Sequence, residues 1–154
     1  MKKKDLLLIA NLRANARATL TSISKKVQMP ISTIFDRLKS HSDGIIKKHT
    51  TLIDFAKLGY NTRAHITLKV HKNEREKLRQ YLKTHMYVNT IYKINNGYDF
   101  LIEVVFRELK QLEDFGEELD EKFKIRGKQV YYIIEDIKRE NFLSDPELLK
   151  INCM

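Results

Sequence analysis

The sequence predicts an α+β protein with an N-terminal helical domain and a C-terminal domain built around a sheet. Apolar residues recur at helical spacing up to about residue 41, and from residue 64 they recur at every second position. The charge changes at the same place: residues 1–63 hold 13 Lys and Arg against 4 Asp and Glu, a net +9, whereas residues 64–154 hold 16 of each kind. This distribution is typical of a cationic domain that binds a polyanion, joined to a neutral domain with another task.

Composition excludes several classes of protein. With 154 residues, 42% apolar and 32% charged, the chain can bury a core, so it is not wholly disordered. The run from Leu6 to Ala10 is far shorter than the roughly 18 apolar residues that span a bilayer, and it is too short for a signal peptide, so we expect no membrane segment. Cys153 is the single cysteine, which excludes an internal disulfide and fits a reducing cytoplasm.

Three helices are predicted in the N-terminal domain, residues 1–44. They span about residues 5–17, 20–27 and 31–41, each with an apolar face, and Pro30 suits the start of the third. Two helices, a short turn and a further helix with small polar residues in its first turn form the helix-turn-helix arrangement. An ordinary three-helix bundle is the alternative, which the charge asymmetry disfavours.

The third helix is the predicted DNA-reading element. Its first turns enter the major groove, so they must be slim and able to hydrogen-bond with base edges. The predicted base contacts are Ser32, Thr33 and Asp36, with Phe35 as a further candidate. Cationic side chains suit phosphates, which position the protein without carrying sequence information. The predicted phosphate contacts are Arg37, Lys39, Lys47 and Lys48, although the last two also fit a solvated face.

Residues 45–63 are predicted to form a hinge that contains a strand. The turn at Asp43 and Gly44 leads into the β-branched stretch from Ile45 to Ile53, which is typical of a strand. The hinge itself is expected around Gly59.

The second domain, residues 64–137, is predicted to follow the order β-α-β-β-α-β of a ferredoxin-like sandwich. The predicted strands are 64–70, 88–94, 100–106 and 130–137, and the predicted helices are 73–85 and the stretch up to about 123. Residues 138–154 lack clear periodicity and are expected to form a tail. More apolar sheet surface is expected than two helices cover, so we expect a second copy to cover the exposed face. The residues behind this expectation are Tyr92, Phe100, Ile102, Val104 and Phe106.

Nothing in the sequence indicates catalysis. The five His and the single Cys lack metal-ligand spacing, and there is neither a Gly-rich phosphate loop nor a nucleophile elbow. We therefore predict no metal and no other cofactor.

Taken in order, these motifs resemble the Lrp/AsnC (feast/famine) family of transcriptional regulators over about residues 5–137. The matching segments are 5–9, 15–17, 32–34 with 37–38, 44–48, 53–54, 58–60 and 98–99. The resemblance implies a winged-helix-like DNA-binding domain, a strand-containing hinge and an effector-binding, oligomerising domain. It also implies homodimers that often assemble to octamers and often regulate their own gene. The implied amino-acid effector binds between subunits near the turn of Asn96, Gly97, Tyr98 and Asp99.

Three positions depart from the family pattern. The segment from Arg37 to Gly44 is one residue shorter than usual, with His41 near the place of an apolar residue. Asn96 replaces a Gly, and Asn tolerates the left-handed conformation that such a turn needs. The Pro-Gly-Val that usually precedes the last strand is absent; residues 126–130 stand there.

We therefore predict a sequence-specific, homo-oligomeric transcriptional regulator that binds double-stranded DNA in the cytoplasm. One alternative is a small-molecule sensor or adaptor without specific DNA binding. The other is an enzyme similar to the siroheme decarboxylases, which share the two-domain plan; their His-Asn-Tyr run is absent here, as is Trp.

Overall fold

The computed structural model describes residues 3–42 and 44–148, so the predicted turn residue Asp43 and the single cysteine, Cys153, lie outside the described residues. The chain divides into two compact units. The helical unit contains the described residues up to Leu52 and from Ile137 onward, and the sheet unit contains Ile53–Asp136. Among the described residues, no helix has both the length and the apolar character needed to cross a membrane.

The helical unit contains three helices close to their predicted positions. They are α1 (Lys3–Ala14), α2 (Leu20–Val27) and α3 (Ile31–Ser42). The first helix ends three residues earlier than predicted, and the Asn15 side chain then accepts a hydrogen bond from the backbone N–H of Arg17 at 2.9 Å. Such a local bond competes with the helical ladder and favours a turn.

A small apolar core holds these three helices together. Its buried members are Leu8, Ile23, Val27, Met29 and Ile34. Thr19 caps α2, since its hydroxyl oxygen accepts from the backbone N–H of Ser22 at 3.1 Å. The helices are therefore positioned by burial and by capping together.

The predicted hinge strand is wrong for the described chain, because residues 44–53 adopt no strand. A strand needs a hydrogen-bonded neighbour, and the described part of the chain provides none for this segment. Its apolar side chains are correspondingly exposed: Ile45 by 51%, Leu52 by 53% and Ile53 by 45%. The β-branched pattern predicts a strand from local propensity alone and does not identify a partner for it.

The described part of the predicted C-terminal tail belongs to the helical unit, where α1 binds it. Arg13 Nε donates to the carbonyl oxygen of Phe142 at 2.6 Å, and Arg13 Nη2 donates to that of Glu140 at 3.0 Å. The same guanidinium forms an ion pair of 3.1 Å with the Glu140 carboxylate. These contacts order residues 140–142 although their sequence has no periodicity.

The sheet unit has the predicted β-α-β-β-α-β order. Its elements are β1 (Thr62–Val70), α4 (Arg75–Thr84), β2 (Val88–Lys93), β3 (Phe100–Phe106), α5 (Leu109–Lys122) and β4 (Ile125–Tyr132). The strands form one antiparallel sheet in the order β2-β3-β1-β4. This arrangement is the ferredoxin-like sandwich and confirms the predicted α+β class.

The last strand lies five residues earlier than predicted. Its register against β1 runs from Ile125 opposite Val70 to Tyr132 opposite Ala64. Among the described residues, one further backbone bond continues the pairing, from the N–H of Ile133 to the carbonyl of Arg63 at 2.9 Å. Because β1 begins at Thr62, the described residues after 134 have no residue of β1 opposite them.

The sheet residues predicted to be exposed are mostly buried, which corrects the expectation of an apolar outer face. Four of the five lie in the core beneath α4 and α5: Phe100, Ile102, Val104 and Phe106. Only Tyr92 is exposed, by 56%. Because β3 is apolar at almost every position, its sequence does not indicate which alternate residues face the helices.

The outer face of the sheet has a buried carboxylate at its centre. Glu103 is 8% exposed and accepts from Arg63 Nε at 3.1 Å, Asn89 Nδ2 at 2.7 Å and Thr90 Oγ1 at 3.2 Å. Arg63 also donates two bonds to Asp136, of 2.6 and 2.8 Å. That hydrogen bonding with Asp136 raises the pKa of Arg63.

His85 is packed among aromatic rings at the end of α4. Its ring centroid lies 4.7 Å from that of Phe115 and 5.3 Å from that of Tyr81. Burial lowers the pKa of His85, and the neighbouring Glu118 carboxylate opposes this shift. Its Nδ1 atom is buried and has no hydrogen-bond partner among the described residues. The neutral imidazole is thus the form that this cluster accommodates.

We expect the sheet unit to lose stability as the pH falls from about 7 to about 5, because His85 binds its proton more readily in the unfolded chain, where its pKa is about 6.5. His85→Phe keeps the aromatic packing and removes this titration, so its free energy of unfolding should depend less on pH. Urea unfolding followed by circular dichroism at a fixed protein concentration measures the effect. The exposed His71→Phe serves as the control, and equal pH dependence in both variants would contradict the role of His85.

Candidate nucleic-acid interface and effector turn

The predicted base-contacting residues share the solvent side of α3. Ser32, Phe35, Asp36 and Lys39 are exposed, and Thr33 is half-buried beside them. Their spacing of three and four residues stacks them along one side of the helix. The opposite side is anchored by Ile34, which is fully buried. The structure thus brings these five predicted residues together on one accessible surface, which we call the α3 face.

A compact turn fixes the start of α3. Gln28 adopts a left-handed conformation with φ of 52°, and the Ser24 hydroxyl donates to the carbonyl oxygen of Met29 at 2.5 Å. Met29 is 5% exposed, so the turn is anchored in the core. The backbone N–H of Ile34 donates to the carbonyl of Pro30 at 3.1 Å, so α3 begins directly after this turn.

Arg37 was predicted to contact phosphate, but its side chain is directed toward α1 instead of extending from the α3 face. Its guanidinium forms an ion pair with Asp5 of α1, and the side chains are only 28% and 12% exposed. His41 Nε2, one turn further along α3, lies 3.7 Å from the same Asp5 oxygen. This arrangement joins α3 to α1. The guanidinium of Arg37, a predicted phosphate contact, is bound to Asp5 instead.

Lys47 and Lys48 are exposed in the segment after α3. They border a cavity of about 480 Å³ whose other side is formed by residues of α1, among them Ile9 and Leu12. The cavity belongs wholly to the helical unit. The exposure of both side chains fits a phosphate contact and a solvated face equally.

The turn between β2 and β3 contains the predicted effector residues. Asn96 and Gly97 both have positive φ angles, 60° and 87°, a pair typical of a type I′ turn. Asn96 therefore adopts the left-handed conformation that the family pattern gives to glycine. Tyr98 Cε1 lies 3.7 Å from the position that a Cβ would take on Gly127, which places the tyrosine ring against β4.

Both carboxylate oxygens of Asp99 have partners within the sheet unit. Its Oδ1 lies 2.7 Å from Arg75 Nε, and its Oδ2 accepts from the backbone N–H of Val70 at 2.9 Å. The backbone N–H of Asp99 donates to Leu68 at 2.8 Å. Sequence reasoning missed Arg75, because no local spacing links it to a turn more than twenty residues away.

Proteins similar in sequence to this chain are transcriptional regulators by name. The model of the Lrp/AsnC ligand binding domain matches residues 63–143. The HTH-type transcriptional regulator FL11 of Pyrococcus horikoshii is 30% identical over 112 residues, which are 72% of this chain and 74% of that protein. The HTH-type transcriptional regulator LrpC of Bacillus subtilis is 24% identical over 112 residues, covering 72% of this chain and 78% of LrpC.

Solved structures of regulators share the fold. A transcriptional regulator from Neisseria meningitidis, solved in complex with L-Met, superposes with a TM-score of 0.83 at 20% identity and covers 90% of this chain and 93% of its own. The structure of LrpC from Bacillus subtilis gives a TM-score of 0.81 at 21% identity, covering 90% and 97%. At this identity the likeness establishes the fold, helix-turn-helix region included.

We expect Arg37→Ala to lower the free energy of unfolding of the helical unit by roughly 1–3 kcal/mol, because the largely buried Asp5 carboxylate loses its guanidinium partner. Lys39→Ala, on the exposed side of the same helix, should change it by less than about 0.5 kcal/mol. Urea denaturation of both variants at one protein concentration compares them. Equal denaturation midpoints would show that the Asp5–Arg37 pair does not hold α3 in place.

Proposed function

Because this chain belongs to the Lrp/AsnC family of transcriptional regulators, we propose that it binds specific DNA sites by inserting α3 into the major groove. The observation that carries the proposal is the α3 face. Its exposed side chains can hydrogen-bond with base edges, and the opposite side of the helix is held by the buried Ile34. The proposed base contacts are Ser32, Thr33, Asp36 and Phe35.

The proposed phosphate contacts are Lys39, Lys47 and Lys48, with Arg37 in a secondary role. Lys39 lies at the far end of the α3 face, and the other two lysines follow α3 in the chain. Arg37 contributes mainly by orienting the helix, since its guanidinium is bound to Asp5. This division assigns positioning on the duplex to lysines and sequence reading to uncharged groups and Asp36.

The proposed assembly is a homodimer, with association to octamers as in the family. A two-fold axis would present two copies of α3 to a paired DNA site. We assign DNA binding to residues 1–44, the hinge to 45–63, and effector binding and oligomerisation to residues 64–137, followed by the tail at 138–154. A regulator that acts on DNA belongs in the cytoplasm. The named relatives are regulators, which supports a protein without catalytic activity.

The proposed effector is an amino acid bound near the turn of Asn96 to Asp99. The Neisseria meningitidis regulator with the same fold was solved with L-Met, which supports this ligand class. Because each carboxylate oxygen of Asp99 already has a partner within the chain, we assign most of the direct contact to Asn96, Tyr98 and the backbone of the turn at Gly97. Asp99 then acts by holding the turn.

Fluorescence anisotropy tests the proposed function directly. The full chain is titrated onto DNA from upstream of its own gene and onto random DNA of equal length, at two salt concentrations. We expect affinities that differ by about 10³ or more, because specific sites typically exceed non-specific DNA by that factor. Equal and steeply salt-dependent binding to both DNAs would contradict reading of sequence at this site.

Two substitutions on the α3 face distinguish contacts to phosphates, which position the protein on the duplex, from contacts to bases, which recognise the sequence. Lys39→Ala should weaken binding to both DNAs alike and reduce the slope of log K against log salt by about one unit, because one phosphate contact is lost. Thr33→Ala should instead reduce the difference in affinity between the specific and the random DNA, and it should leave the slope of log K against log salt unchanged. An unchanged slope for Lys39→Ala would remove that residue from the interface, and equal losses on both DNAs for Thr33→Ala would refute base reading by Thr33.

A further inference from the structure

The sheet unit contains a cavity of about 370 Å³ between α4 and β2 that is rich in basic side chains. Arg75, Arg79 and Lys83 reach it from α4, and Lys93 reaches it from the end of β2. Its volume falls in the range of small-molecule sites, which is about 300–1,000 Å³. A concave site of this size suits a small ligand rather than a DNA backbone.

The two carboxylates that line this cavity are already engaged. Asp99 is held by Arg75 at 2.7 Å and by the backbone N–H of Val70 at 2.9 Å. Glu76 accepts from Gln80 Nε2 at 2.6 Å and from Arg79 Nη1 at 3.4 Å. The Gln80 hydrogen bond lowers the pKa of Glu76. Both carboxylates are therefore already engaged by donors of the chain itself, which weakens their attraction for the ammonium group of a ligand.

The lysines of the cavity form no close ion pair with the described residues, and the charge of Lys83 only adds to the lowering of the Glu76 pKa that the hydrogen bonds from Gln80 and Arg79 cause. Lys83 and Lys93 form no ion pair with any residue in the described ranges 3–42 and 44–148. With four basic and two acidic residues, the lining carries a net charge of +2. Cations gathered in a cleft with low-dielectric walls focus their field and attract anions.

The floor of the cavity is apolar. Ile91 is half-buried and Phe100 is 6% exposed, and both line the cavity. An apolar floor below a cationic rim favours a ligand with a short carbon skeleton over a bare inorganic ion. Two unpaired ammonium groups call for two negative charges on that ligand, since charge-assisted hydrogen bonds are the strong ones.

We propose that this cavity binds a small organic dianion, bearing either two carboxylates or a phosphate ester. This site differs in chemistry from the amino-acid site proposed at the turn, because it offers cations and no unengaged carboxylate. It does not depend on the proposed DNA binding, since all of its residues belong to the sheet unit.

Isothermal titration calorimetry of the full chain tests the proposal with three probes: succinate, glycerol 3-phosphate and the neutral zwitterion L-alanine. We expect saturable binding of a dianion that competes with the other dianion and is not displaced by L-alanine. The tighter of the two dianions identifies whether carboxylates or a phosphate is preferred. Absence of heat with both dianions at millimolar concentration would overturn the proposal, as would displacement by L-alanine at equal concentration.

A pair of double variants localises the binding. Lys83→Gln with Lys93→Gln removes the two unpaired cations and should weaken dianion binding at least about tenfold, as expected when charge-assisted hydrogen bonds are lost. Lys110→Gln with Lys124→Gln removes the same charge from exposed positions outside the cavity and should leave binding within about twofold. Circular dichroism confirms that both variants fold. Equal affinities in the two variants would overturn the proposal.

The same two variants distinguish this proposal from the proposed function. The calorimetry contains no DNA, so dianion binding and DNA binding are separate results. We expect both double variants to retain the DNA affinity of the parent chain, because none of the four lysines lies in the helical unit. If the parent chain binds a dianion but has equal affinities for the two DNAs, that result counts against the proposed function alone.

Discussion

Burying a carboxylate costs free energy unless a cation and hydrogen bonds accompany it. Three largely buried carboxylates in this protein meet that condition through an arginine from a different part of the same unit. The pairs are Asp5 with Arg37, Glu103 with Arg63 and Asp99 with Arg75. They join α1 to α3, β1 to β3, and α4 to the turn before β3. A displacement of either partner would leave a largely buried carboxylate without its guanidinium, so these pairs help to hold α3 and the turn of residues 96–99 in place.

The same pairs show why a count of charges along the sequence misjudges the surfaces. The excess of +9 over residues 1–63 includes Arg37, which orients α3 instead of presenting its charge. Conversely, residues 64–154 are neutral in total, yet they contain a cleft with a net charge of +2. The balancing acids lie elsewhere, many of them on α5. Local charge depends on which side chains fold together, and composition alone does not contain that information.

Helices and most strands could be predicted because their signals are local. The spacing of Leu20, Ile23 and Val27 gives α2 its bounds, and the alternation from Ala64 to Val70 gives β1 its buried face. Errors arose where the outcome depends on distant residues. The bounds of β4 follow from its register against β1, and the buried side of β3 follows from the placement of α4 and α5. For the candidate site, the α3 face was predictable from helical spacing, whereas the roles of Arg37 and Asp99 required their partners Asp5 and Arg75.

The hinge shows how one incorrect prediction supports the proposed assembly. Its β-branched residues favour extended backbone, but the described chain supplies no neighbouring strand, and Ile45, Leu52 and Ile53 stay about half exposed. Tyr92 and Tyr131 are likewise exposed on the outer face of the sheet, by 56% and 53%. Aromatic and β-branched surface of this kind is stabilised when another chain covers it. A second copy would both cover these groups and supply the two-fold symmetry that a paired DNA site requires, so the same sequence feature that fails to form a strand in one chain favours a dimer.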